Sequence, residues 1–286
     1  MKPTKRDDEN VAREHDAARR GFLKHAATGA TLVAAAARTV AAQTPTPAAA
    51  QRPGAPLKGV DVKFTSGDLT IPAYLSRPPK KKSAPGVLVI HEVFGLNDHI
   101  RNVADRIADA GYVALAPNFF ARAAEAPPKD ASDMQALRRA ASSVKQEDAN
   151  KDMQAALDFL KADKGVKHKF ASIGFCMGGG YSYQLATHTK DLAGAVIFYG
   201  RTPIELVPQV SCPILAHFGG KDTSLMQTEP AWEDAMRKAG KTLDVKVYPD
   251  AGHGFFNDTR PTAYNAEAAA DAWQRVLKFF RERLGE

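Results

Sequence analysis

The sequence predicts an α/β protein whose mostly parallel central sheet is covered by helices on both faces. Two observations carry that prediction. From residue 86 onward, short apolar runs alternate with longer segments of helical spacing, as in chains of strand–helix–strand units. Several of the runs, such as Gly86-Val87-Leu88-Val89-Ile90, are apolar at every position, as strands buried on both faces are.

The elements follow in order. Residues 60–65 and 69–75 read as a hairpin turning at Ser66-Gly67-Asp68. Residues 86–90 are the first buried strand. Residues 98–110 form a helix with an N-cap candidate at its start, Asp98, and Gly111 as its stop signal. Further strands are expected near 112–116, 170–174, 194–199, 214–218 and 243–248. Between the second and third buried strands, residues 120–140 look irregular, a lid candidate, and 144–162 repeat apolar residues at helical spacing. Residues 261–284 form the last helix, with Trp273, Val276, Leu277 and Phe280 on one face.

The strand at 170–173 meets the helix at 179–186 through Gly174-Phe175-Cys176-Met177-Gly178. This is G-x-C-x-G where the nucleophile elbow of α/β-hydrolases has G-x-S-x-G. A strained turn exposes the central side chain, and glycines on either side avoid collisions with the neighbouring strand and helix. The thiol stands at a helix N-terminus, whose dipole favours a thiolate. Taken alone, a free cysteine is more often a small buried hydrophobe.

In an α/β-hydrolase the nucleophile is followed in the chain by an acid and then a histidine. Asp222 lies in the loop Gly219-Gly220-Lys221-Asp222 after the strand at 214–218. His253 lies in Ala251-Gly252-His253-Gly254-Phe255, after the strand at 243–248. All three loops leave a parallel sheet at its carboxyl end, where such sheets bind ligands. The strand at 86–90 runs into His91-Glu92-Val93-Phe94-Gly95, the loop that supplies the second oxyanion amide in this fold. His91-Glu92 opens like the zinc motif H-E-x-x-H, but the fifth position is Gly95 and the motif fails.

These segments, with Ala116-Pro117-Asn118-Phe119-Phe120-Ala121-Arg122 and Gly178-Gly179-Gly180, resemble the dienelactone hydrolase (carboxymethylenebutenolidase) family over residues 57–284. Glu92 together with Cys176 is the most specific part of the match. The resemblance implies the α/β-hydrolase fold. It implies Cys176 as nucleophile, His253 as acid/base, Asp222 as its orienting carboxylate and Glu92 as a carboxylate that assists the thiol. It implies an oxyanion hole from the Met177 and Val93 amides, and Arg122 as a holder of the substrate carboxylate. One position departs. The family's second substrate-binding arginine corresponds to Asn257, with Arg260 three residues further on. Phe94, Tyr199, Phe255 and Phe256 are candidates for an apolar pocket wall, or for plain core.

The first 42 residues are a different kind of sequence. Arg19-Arg20-Gly21-Phe22-Leu23-Lys24 precedes a short alanine-rich stretch, and Val40-Ala41-Ala42 fits a cleavage site. The pattern resembles a twin-arginine signal peptide, and implies the twin-arginine export machinery as a partner and a periplasmic or secreted location. The stretch is too short and too interrupted, at Arg38, for a stable membrane span. Residues 43–56, rich in Pro, Ala, Thr and Gln, read as a flexible linker. The domain proper is then 57–286. The formal charge is +7, of which residues 1–42, with eight Lys/Arg and five Asp/Glu, contribute three. The remaining balance is weak ground for a nucleic-acid partner and suits a small, anionic substrate. Cys212 precedes the strand at 214–218 whereas Cys176 follows the end of its own, so the pair is too far apart for a disulfide.

The sequence therefore points to a hydrolase that cleaves a small, dienelactone-like lactone or ester through a covalent acyl-thiol intermediate, with no metal or cofactor. Two alternatives stand beside it. One is a carboxylesterase or thioesterase on the same scaffold, motivated by Asn257. The other is a non-hydrolytic periplasmic thiol protein.

Overall fold

The structure is a computed structural model, and it describes residues 57–125, 127–128 and 132–285. The expected signal segment 1–42 and linker 43–56 lie outside the described residues. One sheet of eight strands runs through the domain in the order β1-β2-β4-β3-β5-β6-β7-β8. The strands are β1 (Val60–Ser66), β2 (Leu69–Ser76), β3 (Ala84–Ile90), β4 (Val113–Pro117), β5 (Val166–Phe175), β6 (Leu192–Phe198), β7 (Ile214–Gly219) and β8 (Leu243–Tyr248). The hairpin pairs antiparallel, β2 is antiparallel to β4, and every pairing from β4 through β8 is parallel. This is the α/β-hydrolase arrangement.

Burial explains the sequence pattern. Every residue of β3 and β4 is buried, whereas edge strands β1 and β8 keep polar residues exposed. Among the described residues, seven helices accompany the sheet: α1 (Asp98–Asp109), α2 (Met134–Ser143), α3 (Gln146–Ala162), α4 (Met177–His188), α5 (Thr223–Met226), α6 (Glu229–Lys238) and α7 (Ala266–Leu284). Among the described residues, no helix is long and apolar enough to cross a membrane.

Three expectations need correction. The N-cap of α1 is Asn97, not Asp98: its side chain accepts from the Ile100 amide at 3.1 Å. The last helix starts at Ala266, not 261, because Asn265 is extended and caps it through the Ala268 amide. The segment 120–140 is only partly irregular. It begins in a 3₁₀ turn, Phe119–Arg122, and its second half enters α2, capped by Asp133.

Candidate active site

Because β3, β5, β6, β7 and β8 are parallel, their carboxyl ends deliver His91, Cys176, Tyr199, Asp222 and His253 to one edge of the sheet. Cys176 sits between β5 and α4 with φ 53° and ψ −115°, a conformation that costs an L-residue about 1–3 kcal/mol. Close backbone packing holds it there. A Cβ on Gly174 would lie 1.8 Å from the Gly178 carbonyl oxygen, and one on Gly178 would lie 2.3 Å from that of Ile90. The Cys176 amide donates to the Phe198 carbonyl at 3.0 Å, pinning the elbow to β6.

The thiol, imidazole and carboxylate form one hydrogen-bonded chain. His253 Nε2 lies 3.1 Å from Cys176 Sγ, and His253 Nδ1 lies 2.6 Å from Asp222 Oδ2. Asp222 is buried, and its other oxygen accepts from the Ser224 hydroxyl at 2.9 Å. Burial disfavours the charged ring of His253. The hydrogen bond and charge of Cys176, then those of Asp222, outweigh burial and raise its pKa to about 9. An imidazole so placed can hold a proton beside a thiolate and later pass it to a leaving group.

The β3 loop is fixed by His91, which the sequence motifs named but gave no role of its own. His91 is fully buried, and burial lowers its pKa to about 4, so it is neutral. Its Nε2 accepts from the Phe119 amide at 3.0 Å, so Nδ1 carries the proton and donates to the Glu92 carbonyl at 2.7 Å. The signal was available, since a His directly after a fully apolar strand is buried and must find partners. The turn closes with the Gly95 amide donating to the Glu92 carbonyl, and Gly95 has φ 75°.

Glu92 does not hydrogen-bond to the thiol. It is buried, and accepts from Asn257 Nδ2 at 2.5 Å and from the Tyr199 hydroxyl at 3.3 Å. Tyr199 has φ 39°, and burial, then the Glu92 charge, hold its hydroxyl well above the usual phenol range.

The cleft over Cys176 and His253 has a volume of about 440 Å³ and is walled by Met177, Tyr181, Tyr199, Pro203 and Leu225, with Arg201 at its side. Of the expected substrate contacts, only Tyr199 lines it. Arg122 is held elsewhere: its guanidinium donates to the fully buried Asp152 at 2.8–3.0 Å and to the Ser66 carbonyl at 3.1 Å. Asn257 is buried and turned to Glu92. Phe94 stacks beneath Arg260, 4.8 Å from its guanidinium carbon. Phe255 and Phe256 are core, packed on Phe198 among others. Cys176 and Cys212 are both free, and burial raises the Cys212 thiol to about 12.

The pattern of the dienelactone hydrolase family matches residues 71–284, three quarters of the chain, including the loops that carry Glu92, Cys176, Asp222 and His253. The chain belongs to the dienelactone hydrolase family. A "Putative carboxymethylenebutenolidase" of Saccharolobus solfataricus is 35% identical over 256 residues, covering 77% of this chain and 97% of that one. A protein of the same name from Escherichia coli K12 is 34% identical over 241 residues, covering 78% and 88%. Among solved structures, the "Putative Dienelactone Hydrolase" of Klebsiella pneumoniae is 30% identical with a TM-score of 0.73, covering 79% of this chain and 98% of that one. A dienelactone hydrolase-like promiscuous phosphotriesterase from metagenomic libraries is 28% identical with a TM-score of 0.70, covering 80% and 99%. This dienelactone hydrolase relative is thus a hydrolase of the dienelactone hydrolase type.

Proposed function

We propose that the protein hydrolyses a small carboxylic ester or lactone through Cys176, His253 and Asp222. The observation that carries the reading is the unbroken chain from thiol to imidazole to buried carboxylate. The Cys176 thiolate attacks the carbonyl carbon, and the oxyanion rests on the Met177 and Val93 amides. Collapse expels the alcohol, which takes its proton from His253 and leaves an acyl-thiol. His253 then draws a proton from water, and the hydroxide formed releases the acid. Glu92 assists proton handling at the thiol once it is freed from Asn257 and Tyr199.

The N-terminal Arg19-Arg20 motif supports export by the twin-arginine route, with residues 57–286 as the periplasmic or secreted domain. Replacing both arginines by lysine should retain the precursor in the cytoplasm. Export of that variant would refute the route.

The function is tested with cis-dienelactone beside p-nitrophenyl acetate and butyrate, with and without iodoacetamide pretreatment. Turnover of at least one ester, lost on alkylation and in Cys176→Ala, is expected. Activity retained in Cys176→Ala would exclude the thiol mechanism. Turnover of simple esters alone would favour the carboxylesterase reading, which the placement of Asn257 and Arg122 away from the cleft also supports.

A further inference from the structure

The substrate of the thiol hydrolase proposed above must be recognised by something in the cleft, and neither cation expected for that purpose lines it. Arg122 is bound to Asp152 and Ser66, and Arg260 is stacked on Phe94. Arg201 is different. It lines the same cleft as Cys176 and His253, and among the described residues no carboxylate pairs with it. An exposed arginine is by default solvated, but the backbone at this position is built into the site. Residue 201 follows Gly200 and Tyr199, whose φ is 39°. A Cβ on Gly200 would lie 2.4 Å from the Gly180 nitrogen, and one on Gly180 would lie 3.4 Å from the Arg201 carbonyl. The Gly180 amide in turn donates to the Cys176 carbonyl. The backbone of Arg201 therefore packs against α4 one helical turn beyond Cys176.

Arg201 also borders a second cavity of about 460 Å³, which shares Pro203, Ser224 and Leu225 with the first and continues past Ile204. Together the two spaces exceed what a compact lactone fills. The far cavity carries Glu205, which repels an anion from that end. Among the described residues, no carboxylate lines the catalytic cleft. Among the described residues, Arg201 is the only Lys or Arg that lines either space, and it stands where the two join.

We infer that Arg201 is the specificity-determining residue of this hydrolase: it binds a carboxylate or phosphate borne by an extended ester whose carbonyl lies at Cys176. A planar guanidinium with no competing partner can bind such a group bidentately.

The test compares anionic esters with neutral ones of the same shape, in the parent enzyme and in Arg201→Gln and Arg201→Lys. Mono-4-nitrophenyl glutarate against its methyl ester places the charge on the acyl side. 4-Acetoxybenzoate against methyl 4-acetoxybenzoate places it on the alcohol side, and phosphorylated counterparts distinguish phosphate from carboxylate. The parent enzyme should prefer the anionic member of at least one pair by about tenfold or more in kcat/KM, less at high salt. Arg201→Gln should abolish the preference, and Arg201→Lys should restore part of it. The ratio within a pair separates recognition from any general effect of the positive charge on the thiolate, which would change both members alike. A ratio altered less than about twofold by Arg201→Gln in every pair would overturn the proposal. A second readout does not depend on turnover: glutarate or phosphate should slow alkylation of Cys176 by iodoacetamide in the parent and not in Arg201→Gln. Arg201-dependent protection without hydrolysis of any ester would overturn the hydrolase reading while upholding the anion site. Neither turnover nor protection would overturn both.

Discussion

Asn257 Nδ2 donates a 2.5 Å hydrogen bond to Glu92 Oε2, joining the loop after His253 to the loop after β3. The other carboxylate oxygen accepts from Tyr199. Among the described residues, no Lys or Arg pairs with Glu92, so a buried carboxylate is held by two neutral donors.

Removing one of those donors leaves half of the carboxylate unpaired. Asn257→Ala should destabilise the fold by about 1.5–3 kcal/mol, the scale of a hydrogen bond to a charged group. Asn257→Asp should cost more at neutral pH, because two carboxylates would then face each other in a buried site. Its deficit should shrink as the pH falls and one of them is protonated. Urea unfolding at pH 5 and pH 8 measures both.

His253 should titrate near pH 9 in the folded protein, seen by NMR of the ring protons. Its folded value lies above the ordinary 6.5, so its contribution to stability is fully present below about pH 6.5 and is lost as pH rises through about 9. Cys176 is the largest cause that raises it. Cys176→Ala should therefore move the titration downward, and an unmoved midpoint would show that Asp222 alone sets it.

Two neighbouring ion-pair partners make a double-mutant cycle. Asp152 is fully buried against Arg122. Arg122→Ala should cost about 3–5 kcal/mol by stranding that carboxylate. Arg122→Ala with Asp152→Ala should cost less than the sum of the two single changes. An Arg122→Ala variant of unchanged stability and impaired turnover of anionic esters would instead return Arg122 to the substrate.

Glycines beside the site should differ sharply in tolerance. Gly174→Ala and Gly178→Ala would each drive a methyl into backbone, and each should cost more than about 3 kcal/mol or prevent folding. Gly252, next to His253, has open space where its Cβ would point and no left-handed φ. Gly252→Ala should stay within about 0.5 kcal/mol of the parent. Thermal unfolding of the three variants checks the contrast.

Local pattern was enough to place the strands. The fully apolar runs at β3 and β6 admit few other roles, and Gly67 and Gly111 punctuate turns that only glycine accommodates cheaply. The same locality made the ends of α1 and α7 less legible. Asn97 and Asp98 are both good caps by type, and only the side chain's actual contact with the Ile100 amide decides between them.

By itself the sequence determined the fold class and the three loops that carry thiol, acid and imidazole. Chain order along a parallel sheet decides which turns share an edge, so Cys176, Asp222 and His253 could be brought together before any coordinate was known. The tertiary structure alone decided which polar group takes which partner. Arg122 is bound to Asp152 rather than facing the cleft, Asn257 holds Glu92, and Arg201 lines the cleft that holds Cys176. Such choices depend on the angstrom-scale placement of side chains 30 to 165 residues apart in sequence, where periodicity carries no information. Burial then enforces them, because a charge removed from water must be paired wherever a partner comes within reach.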